Sequence, residues 1–319
     1  MVRCGKPVTA SNNLRRLIIR PGGIGDCILS LPAIEHLGTA DAEVWVPSAM
    51  VPLIRCVEAR SIASTGIDLL GLPGVDPPAP LVARLRLFDS IVSWYGANRA
   101  EFREQVRALR LPFQFLDALP DSSAKIHAAD FFLKQVGGAG SAVPRIDCGP
   151  IERGDFAVIH PFSGRARKNW PLDRFRELAM RLPMPVRWCA GPEEILDGAV
   201  RIEHLYELGG WLASARLYIG NDSGITHLAA AVGTPVVAIF GPTDPAVWAP
   251  RGERVAIVQA RTVDEIGVDN VLEAAGRLYK HQNGGSRHKH ESDPPEDPFK
   301  AGTDLLTHDF GIAGQKKDE

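Results

Sequence analysis

The chain has 319 residues, 45% of them hydrophobic. This length exceeds the ~250 residues at which a single hydrophobic core usually divides, so two domains are expected. The net charge of −2 gives no reason to expect a nucleic-acid partner. The five cysteines are scattered without a C-x-x-C pair, which favours reduced thiols in a cytoplasm and predicts neither a zinc site nor a disulfide framework.

No segment is typical of secretion or of a membrane span. The N-terminal residues contain no apolar stretch like that of a signal peptide, and no window approaches about 18 consecutive apolar residues. We therefore expect a cytoplasmic protein, and association with a membrane surface stays open.

Apolar runs and amphipathic segments alternate through the first part of the chain. Residues 14–20 form an apolar run that ends in a glycine loop, residues 21–26, and helical spacing of apolar residues continues to Leu37. Pro32 should bend that helix or make its first turns irregular. Further strands are predicted at 43–46, 89–95 and 112–116, and further helices at 99–109 and 123–136. This alternation predicts a parallel sheet with helices on both faces.

The segment 137–150 is rich in glycine and proline and has no periodicity, so the first domain is expected to cover residues 1–145. A second series predicts strands at 156–160, 186–190, 217–220, 235–240 and 255–259, and helices at 172–182, from 191 onward, at 225–232 and at 268–279. The second domain would cover residues 146–280. Residues 281–319 are polar and charged, which predicts a disordered tail; its His288-Lys289-His290 cluster has no further ligands that would indicate a structured metal site.

The most informative stretch runs from Tyr218 to Trp248. Its sequence predicts a strand, a polar turn at 221–224 and a helix that Ser223 caps, while Gly224 lets a ligand approach the first turn. Free N–H groups and the positive end of the helix dipole make such a terminus an anion site, for which diphosphate is a natural ligand. The rigid loop 241–245 follows on the same carboxyl edge of the sheet, where open α/β sheets hold their ligands.

These motifs resemble those of the glycosyltransferase family 9 heptosyltransferases. That family's nucleotide-sugar domain carries D-[ST]-G-x-x-H-x-x-A-A followed by G-P-T-D-P, which stand here at 222–231 and 241–245. His160-Pro161 leading to Lys168-Asn169-Trp170-Pro171 also matches, as does Gly25-Asp26 with Pro32 beyond it. The resemblance spans residues 14–280 in the family's order.

The resemblance implies the GT-B architecture, in which two Rossmann-like, doubly wound α/β domains face each other across the active cleft. It implies inverting, metal-independent transfer of a sugar, by resemblance heptose from ADP-heptose, to a lipopolysaccharide-core or other glycan hydroxyl, with no cofactor. The chain contains no D-x-D sequence of the kind that holds a metal in other glycosyltransferases. The expected partners are the nucleotide-sugar donor and a glycan or glycolipid acceptor, with peripheral contact to the cytoplasmic face of the inner membrane.

Asp26 is the candidate catalytic base. In the family, the aspartate of the Gly-Asp pair is the proposed general base, and Gly23 and Gly25 would let an acceptor hydroxyl come close. The alternative role is an N-cap, which aspartate often fills. A dinucleotide fingerprint is not matched, because Ile28 stands where a third glycine is required and the Asp26 carboxylate would repel a pyrophosphate.

The donor site is expected on the second domain. Lys168 matches the family's cation for the diphosphate, with Arg165 and Arg167 beside it, and a solvated cationic loop is the alternative. Asp222, Ser223 and Gly224 complete the turn at the helix. His227 lies one helical turn after Ser223, where it could donate to the diphosphate or hold the Asp222 loop.

Two further positions follow strand ends in the second domain. His160 lies near the cleft in the family, but it could equally satisfy a loop carbonyl. Glu193 or Glu194 matches a family glutamate that contacts the ribose, although a glutamate in a first turn also stabilises a helix. The sequence does not choose between the two glutamates.

Arg99, Arg103, Arg107 and Arg110 recur along one stripe of the helix predicted at 99–109. A phosphorylated acceptor or anionic lipid headgroups would relieve their repulsion, and a solvated face is the alternative. Two other functions also stay open. One is a family 9 enzyme with a different donor or a non-lipopolysaccharide acceptor, and the other is a non-catalytic nucleotide-sugar-binding protein, which would be expected to lack Asp26.

Overall fold

The computed structural model describes residues 14–121 and 125–280, so the predicted tail and the start of the helix predicted at 123–136 lie outside the described residues. The first sheet contains strands β1 (Arg16–Ile19), β2 (Ala42–Val46), β3 (Glu58–Ser61), β4 (Ser90–Ser93) and β5 (Phe113–Phe115). Its helices are α1 (Ile24–Leu29), α2 (Leu31–Leu37), α3 (Ala79–Leu85), α4 (Ala100–Ala108) and α5 (Ala128–Gln135).

The second sheet contains β6 (Ala157–His160), β7 (Val186–Trp188), β8 (Leu217–Asn221), β9 (Val236–Phe240) and β10 (Val255–Gln259). Its helices are α6 (Leu172–Arg181), α7 (Leu205–Ala213), α8 (Gly224–Ala231), α9 (Pro245–Trp248) and α10 (Val268–Lys280). Short 3₁₀ segments lie at Ser48–Leu53, Ile62–Ser64, Ile67–Leu69, Ala166–Lys168 and Val263–Glu265.

Both sheets have parallel pairing between all neighbouring strands, in the orders β3-β2-β1-β4-β5 and β10-β9-β8-β6-β7. The strand order reverses between β1 and β4 in the first sheet and between β6 and β8 in the second. Because ligands of open α/β sheets bind outside the carboxyl ends of strands at such switch points, two binding positions are defined. The residues that directly follow β1, β6 and β8 lie at these two positions.

The central strands are buried on both faces. In β1, Leu17 and Ile19 contribute to one apolar cluster and Ile18 to another, and all three are fully buried. Since alternate side chains of a strand point to opposite faces, helices cover the first sheet on both sides. The fold class expected from the sequence is therefore confirmed.

The predicted bend at Pro32 is also confirmed. α1 ends at Leu29 and α2 begins at Leu31, with Ser30 as the cap between them and Pro32 in the first turn of α2. Proline has no N–H for an intrahelical bond and is tolerated in a first turn, so it starts a new helix there.

Several sequence predictions of secondary structure were wrong or missing. The helix expected from Gly191 onward does not form, because residues 191–204 make turns that include Gly198 with a left-handed φ of 69°. The helix of this part of the chain is α7, where adjacent glycines at 209 and 210 lower the intrinsic helix propensity. Strand β3 and helix α3 were also not predicted, because β3 is a short charged edge strand and α3 follows a proline-rich segment.

Three contact regions of the described residues join the part that carries the first sheet to the part that carries the second, and one of them is the packing of the 3₁₀ segment Ser48–Leu53 against α7. Helix α1 packs against α8, with Gly25 and Gly224 at the point of closest approach. Helix α5 and its N-cap make a further contact region. Asp130 of α5 accepts from both terminal nitrogens of Arg251 at 2.5 and 2.6 Å, and the Nε2 atom of the N-cap His127 lies 2.9 Å from the Ala249 carbonyl oxygen. The terminal helix α10 packs on the second sheet beside α6.

Candidate active site

A cavity of about 1060 Å³ lies between the carboxyl edges of the two sheets. It is lined by all the predicted site residues except Glu193, namely Gly23, Gly25, Asp26, His160, Lys168, Glu194, Asp222, Ser223, Gly224 and His227. A cavity of this size accommodates a nucleotide sugar. The fold thus brings residues from distant parts of the sequence to one place.

Asp26 lies in the third position of α1, directly beyond β1. Its carboxylate Oδ2 accepts a hydrogen bond from the Gly23 N–H at 3.2 Å, and the N-cap position itself is held by Gly23. Asp26 is therefore not the N-cap of α1, so the alternative role is wrong, although its carboxylate does satisfy one amide at the start of the helix. The side chain is partly exposed and lines the cavity.

Lys168 and Asp222 form an ion pair across the second switch point. Lys168 Nζ lies 2.5 Å from Asp222 Oδ2, and the Asp222 side chain is only 7% exposed. Because a buried carboxylate is costly without a partner, the pair fixes the ammonium group at the wall of the cavity. The ammonium group has three donors, so it can keep this contact and bind a second anion.

The N-terminus of α8 opens into the same cavity. Ser223 caps the helix, since its Oγ accepts from the Thr226 N–H at 3.4 Å, and Thr226 Oγ1 in turn donates to the Asn221 carbonyl oxygen at 2.5 Å. The buried Tyr218 hydroxyl lies 3.1 Å from Thr226 Oγ1. This network holds the first turn of α8 in place, so that its free amides point in fixed directions towards the cavity.

His227 lies one turn into α8, and its ring packs on Gly25 of the first part of the chain. A Cβ atom at Gly25 would lie 2.9 Å from His227 Cδ2, so the two residues are in close contact. Burial lowers the pKa of His227 to about 4, against the opposing effect of the Asp222 and Asp26 charges. The imidazole is therefore neutral near pH 7.

His160 and Glu194 form a second polar pair in the cavity. His160 Nε2 lies 3.1 Å from Glu194 Oε2, which also accepts from the Gly191 N–H at 2.6 Å. Burial acts to raise the pKa of Glu194, but these hydrogen bonds outweigh it and hold the pKa below the usual value. The structure thus distinguishes between the two candidate glutamates, because Glu194 lines the cavity whereas Glu193 is exposed and does not line it.

Arg165, Arg167 and the loop 242–244 complete the polar wall. Both arginines are exposed, so they add positive charge near the opening. Asp244 caps α9 through its Oδ1, which accepts from the Ala246 N–H at 2.9 Å. The predicted role of the loop as a rigid border of the cleft agrees with this cap.

Asn221 is a residue that the sequence argument did not single out. It is fully buried at the end of β8, where its side-chain Oδ1 accepts from the Trp170 N–H at 3.0 Å and its Nδ2 donates to the Pro161 carbonyl oxygen at 2.8 Å. It therefore ties together both ends of the loop that carries Lys168. A polar residue at the end of an apolar strand was the available signal.

Trp170, from the motif that carries Lys168, packs in the core of the second sheet. It is 1% exposed, its Nε1 donates to the Ile266 carbonyl oxygen at 2.9 Å, and its ring lies 4.8 Å from that of Phe175. Within residues 14–121 and 125–280, no cluster of three or more His, Cys, Asp or Glu side chains is placed to hold a metal ion. None of the helices in this described part is long and apolar enough to span a bilayer.

Known proteins resemble this chain in sequence over part of its length. Residues 141–269 match glycosyltransferase family 9 (heptosyltransferase). The chain is 28% identical over 148 residues to lipopolysaccharide heptosyltransferase 1 of Escherichia coli K12, covering 40% of this chain and 46% of that protein. It is 49% identical over 119 residues to lipopolysaccharide heptosyltransferase 3 of the same strain, covering 31% and 35%. The chain thus matches less than half the length of these curated relatives.

Solved structures resemble it over most of the fold. E. coli heptosyltransferase WaaC with ADP gives a TM-score of 0.60 at 17% identity, covering 83% of this chain and 100% of that chain. E. coli ADP-heptose lps heptosyltransferase II gives 0.64 at 17% identity, covering 84% and 99%. These likenesses show that the chain has the GT-B fold, with two α/β domains that each contain a parallel sheet. The resemblance to family 9 expected from the sequence motifs is confirmed for residues 141–269, the segment that matches that family.

Proposed function

We propose that the chain is an inverting, metal-independent glycosyltransferase that moves heptose from ADP-heptose to a hydroxyl group of a lipopolysaccharide core or another glycan. The observation that carries this proposal is the composition of one cavity. A free carboxylate, Asp26, enters it from the first sheet, while a cation, Lys168, and the N-terminus of α8 enter it from the second. The matched relatives are named heptosyltransferases, and one was solved with ADP.

Residues 146–280 would bind the donor. The diphosphate would lie on the α8 amides and the Lys168 ammonium group, which are the positive groups at the second switch point. Glu194 would face the ribose hydroxyls, since a carboxylate pairs well with vicinal hydroxyls. Residues 1–145 would present the acceptor.

The reaction would then proceed in one displacement. The acceptor hydroxyl loses its proton to the Asp26 carboxylate as its oxygen forms a bond to the anomeric carbon. The bond from that carbon to the β-phosphate oxygen breaks, and ADP leaves with the electron pair onto Lys168 and the α8 amides. Attack from the side opposite the leaving group inverts the anomeric centre.

Calorimetric titration with ADP-, GDP- and UDP-sugars tests the donor, and a transfer assay with and without EDTA tests the mechanism. We expect ADP-sugars to bind best, product of inverted configuration by NMR, and full activity in EDTA. Preference for another base, or transfer only to a non-lipopolysaccharide acceptor, would indicate a different specificity within the family. Binding without any transfer would indicate a nucleotide-sugar-binding protein. Activity lost in EDTA and restored by Mg²⁺ or Mn²⁺ would contradict the metal-free step.

Cytoplasmic location and peripheral contact with the inner membrane are part of this proposal. A glycolipid acceptor lies in a bilayer, so the enzyme has to reach anionic headgroups. The exposed arginines at the C-terminal end of α4, Arg107 and Arg110, would supply the attraction.

A further inference from the structure

Arg20 is a buried arginine whose charge is not matched by an ion pair. It directly follows β1, and it is 1% exposed. Within residues 14–121 and 125–280, no carboxylate forms a salt bridge with its guanidinium group. Burying a charge without a pair is expensive, so its position calls for a physical explanation.

The guanidinium group is held by aromatic rings and by one backbone oxygen. Its carbon lies 4.4 Å from the ring centre of Phe132 and 5.6 Å from that of Trp94. Its Nη2 donates to the carbonyl oxygen of Asp26 at 3.2 Å. The two aromatic rings stabilise the cation, and its Nη2 remains available to donate to the Asp26 carbonyl oxygen.

The Asp26 carbonyl lies in the first turn of α1, three residues after the N-cap Gly23. It also accepts from the Ser30 N–H at 3.2 Å, and the Asp26 carboxylate accepts from Gly23 at the other side of the turn. The preceding loop residue Gly22 has a φ of 128° that only glycine adopts readily. The contact from Arg20 therefore fixes the peptide plane that carries the Asp26 side chain.

We propose that Arg20 is a positioning residue for Asp26, holding the first turn of α1 so that the carboxylate points into the cavity. This inference rests on the proposed function and extends it to a residue outside the cavity lining. Burial lowers the pKa of Arg20, and the charge of the Asp26 carboxylate partly offsets this effect. The cation and the carboxylate are thus electrostatically coupled as well as linked through the backbone.

Three variants test the proposal. Arg20→Met keeps the aliphatic stem and removes the donors, and Arg20→Lys keeps a charge that can still reach the carbonyl. Arg16→Met is the matched control, because Arg16 lies at the other end of β1, donates to the Leu37 carbonyl oxygen at 2.8 Å, and also has a buried Nε without a partner within the described residues. Each variant removes or alters an arginine that donates to a backbone carbonyl oxygen and that lies at one end of β1 or directly after it.

We expect Arg20→Met to lower turnover about 10- to 100-fold, because a displaced base is a poor base, while the donor KM stays within about twofold. Arg20→Lys should recover part of that loss. Arg16→Met should keep wild-type turnover even if its melting temperature falls. Wild-type turnover in Arg20→Met, or equal losses in Arg20→Met and Arg16→Met, would overturn the proposal.

A second readout does not depend on activity. The Gly23 amide proton donates to the Asp26 carboxylate, so its NMR shift and exchange rate report whether that carboxylate is in place, with Asp26→Asn as the reference. We expect Arg20→Met to move the Gly23 signal towards that of Asp26→Asn, and Arg16→Met to leave it unchanged. An unmoved Gly23 signal in both Arg20 variants would overturn the proposal even if no glycosyl transfer is found. If Arg20→Met does not fold, Arg20→Leu, which also removes the donors, decides by the same signal.

Discussion

Gly25 and Gly224 lie where the two parts of the active site meet, and neither has room for a side chain. A Cβ atom at Gly25 would lie 2.9 Å from His227 Cδ2, and one at Gly224 would lie 2.7 Å from Ile24 Cβ. Both distances are shorter than real carbon contacts, so a methyl group has to push α1 and α8 apart. The two glycines set the gap between the proposed base and the proposed diphosphate site.

We therefore expect Gly25→Ala and Gly224→Ala to lower turnover about 10²-fold each, because a shift of about 1 Å between reacting groups has an effect of that size. The matched control is Gly210→Ala on α7, where an added Cβ meets no atom within 4 Å. Steady-state kinetics at saturating donor provides the measurement. Normal turnover in both variants would mean that α1 and α8 are not in contact during catalysis.

His227 makes stability depend on pH. Burial lowers its pKa from 6.5 to about 4. Between these values the unfolded chain binds a proton that the folded chain does not, so the free energy of unfolding decreases as pH falls through this window. The full effect would be at most about 3 kcal/mol, reached near the lower value.

His227→Gln should remove this dependence. Urea unfolding at pH 5.0, 6.0 and 7.5 should show a smaller loss of stability on acidification in the variant than in the wild type. His127, whose pKa burial also lowers, is present in both proteins and cancels in the comparison. If the free energy of unfolding falls equally in both proteins between pH 7.5 and 5.0, His227 is protonated in the folded state, which contradicts its lowered pKa.

At the scale of the elements, helix α4 differs from its sequence prediction. The helix ends at Ala108, and Arg110 lies beyond it with a left-handed φ of 53°, so the expected stripe of four arginines is wrong at that position. Arg99 Nη1 donates to the Tyr95 hydroxyl at 2.8 Å, and Arg103 lies 5.5 Å from the Phe115 ring centre. Two members of the stripe, Arg99 and Arg103, therefore have structural contacts, whereas Arg107 and Arg110 are exposed.

We expect the double variant Arg107→Glu and Arg110→Glu to reduce co-sedimentation with anionic vesicles and to raise the acceptor KM, with the donor KM unchanged. Each arginine would contribute about 1 kcal/mol to binding at an anionic surface. Arg99→Gln is the control, because loss of its Tyr95 contact should lower stability rather than vesicle binding. If vesicle binding and acceptor KM stay at wild-type values, the C-terminal end of α4 is a solvated face.

Most of the sheet could be predicted because its strands are buried runs of apolar residues. β9 and β10 agree with the predicted segments to within one residue. Helix α7 could not be predicted, since Gly209 lowers helix propensity but suits a tight packing position, where a Cβ would lie 3.3 Å from Val232 Cγ1. Local sequence does not contain that constraint, because it comes from another helix.

The candidate site shows the same division. The motifs identified Lys168 and Asp222 separately, but not their ion pair, which joins residues 54 positions apart. The contact of His227 with Gly25, and that of Arg20 with Asp26, also depend on folding. Turn and capping residues could be predicted from local chemistry, whereas buried polar partners could not.

For the whole molecule, the central feature is that the two sheets turn their carboxyl edges, and hence their switch points, towards one cavity. Proton acceptance is assigned to the part with the first sheet, and diphosphate binding to the part with the second. The division of the chain at residues 145–146 into acceptor and donor domains remains a proposal. If this division is correct, substitutions should be able to remove proton acceptance and diphosphate binding separately.

The most direct test measures ADP affinity and heptosyl turnover together in Asp26→Asn and in Lys168→Ala. Asp26→Asn should keep the Kd for ADP within a few-fold while turnover falls about 10²- to 10⁴-fold. Lys168→Ala should weaken ADP binding and reduce turnover by about 1.5–3 kcal/mol, the size of a lost charge-assisted contact. Full turnover in Asp26→Asn, or unchanged ADP affinity in Lys168→Ala, would contradict the assignment of base and diphosphate site to the two sheets.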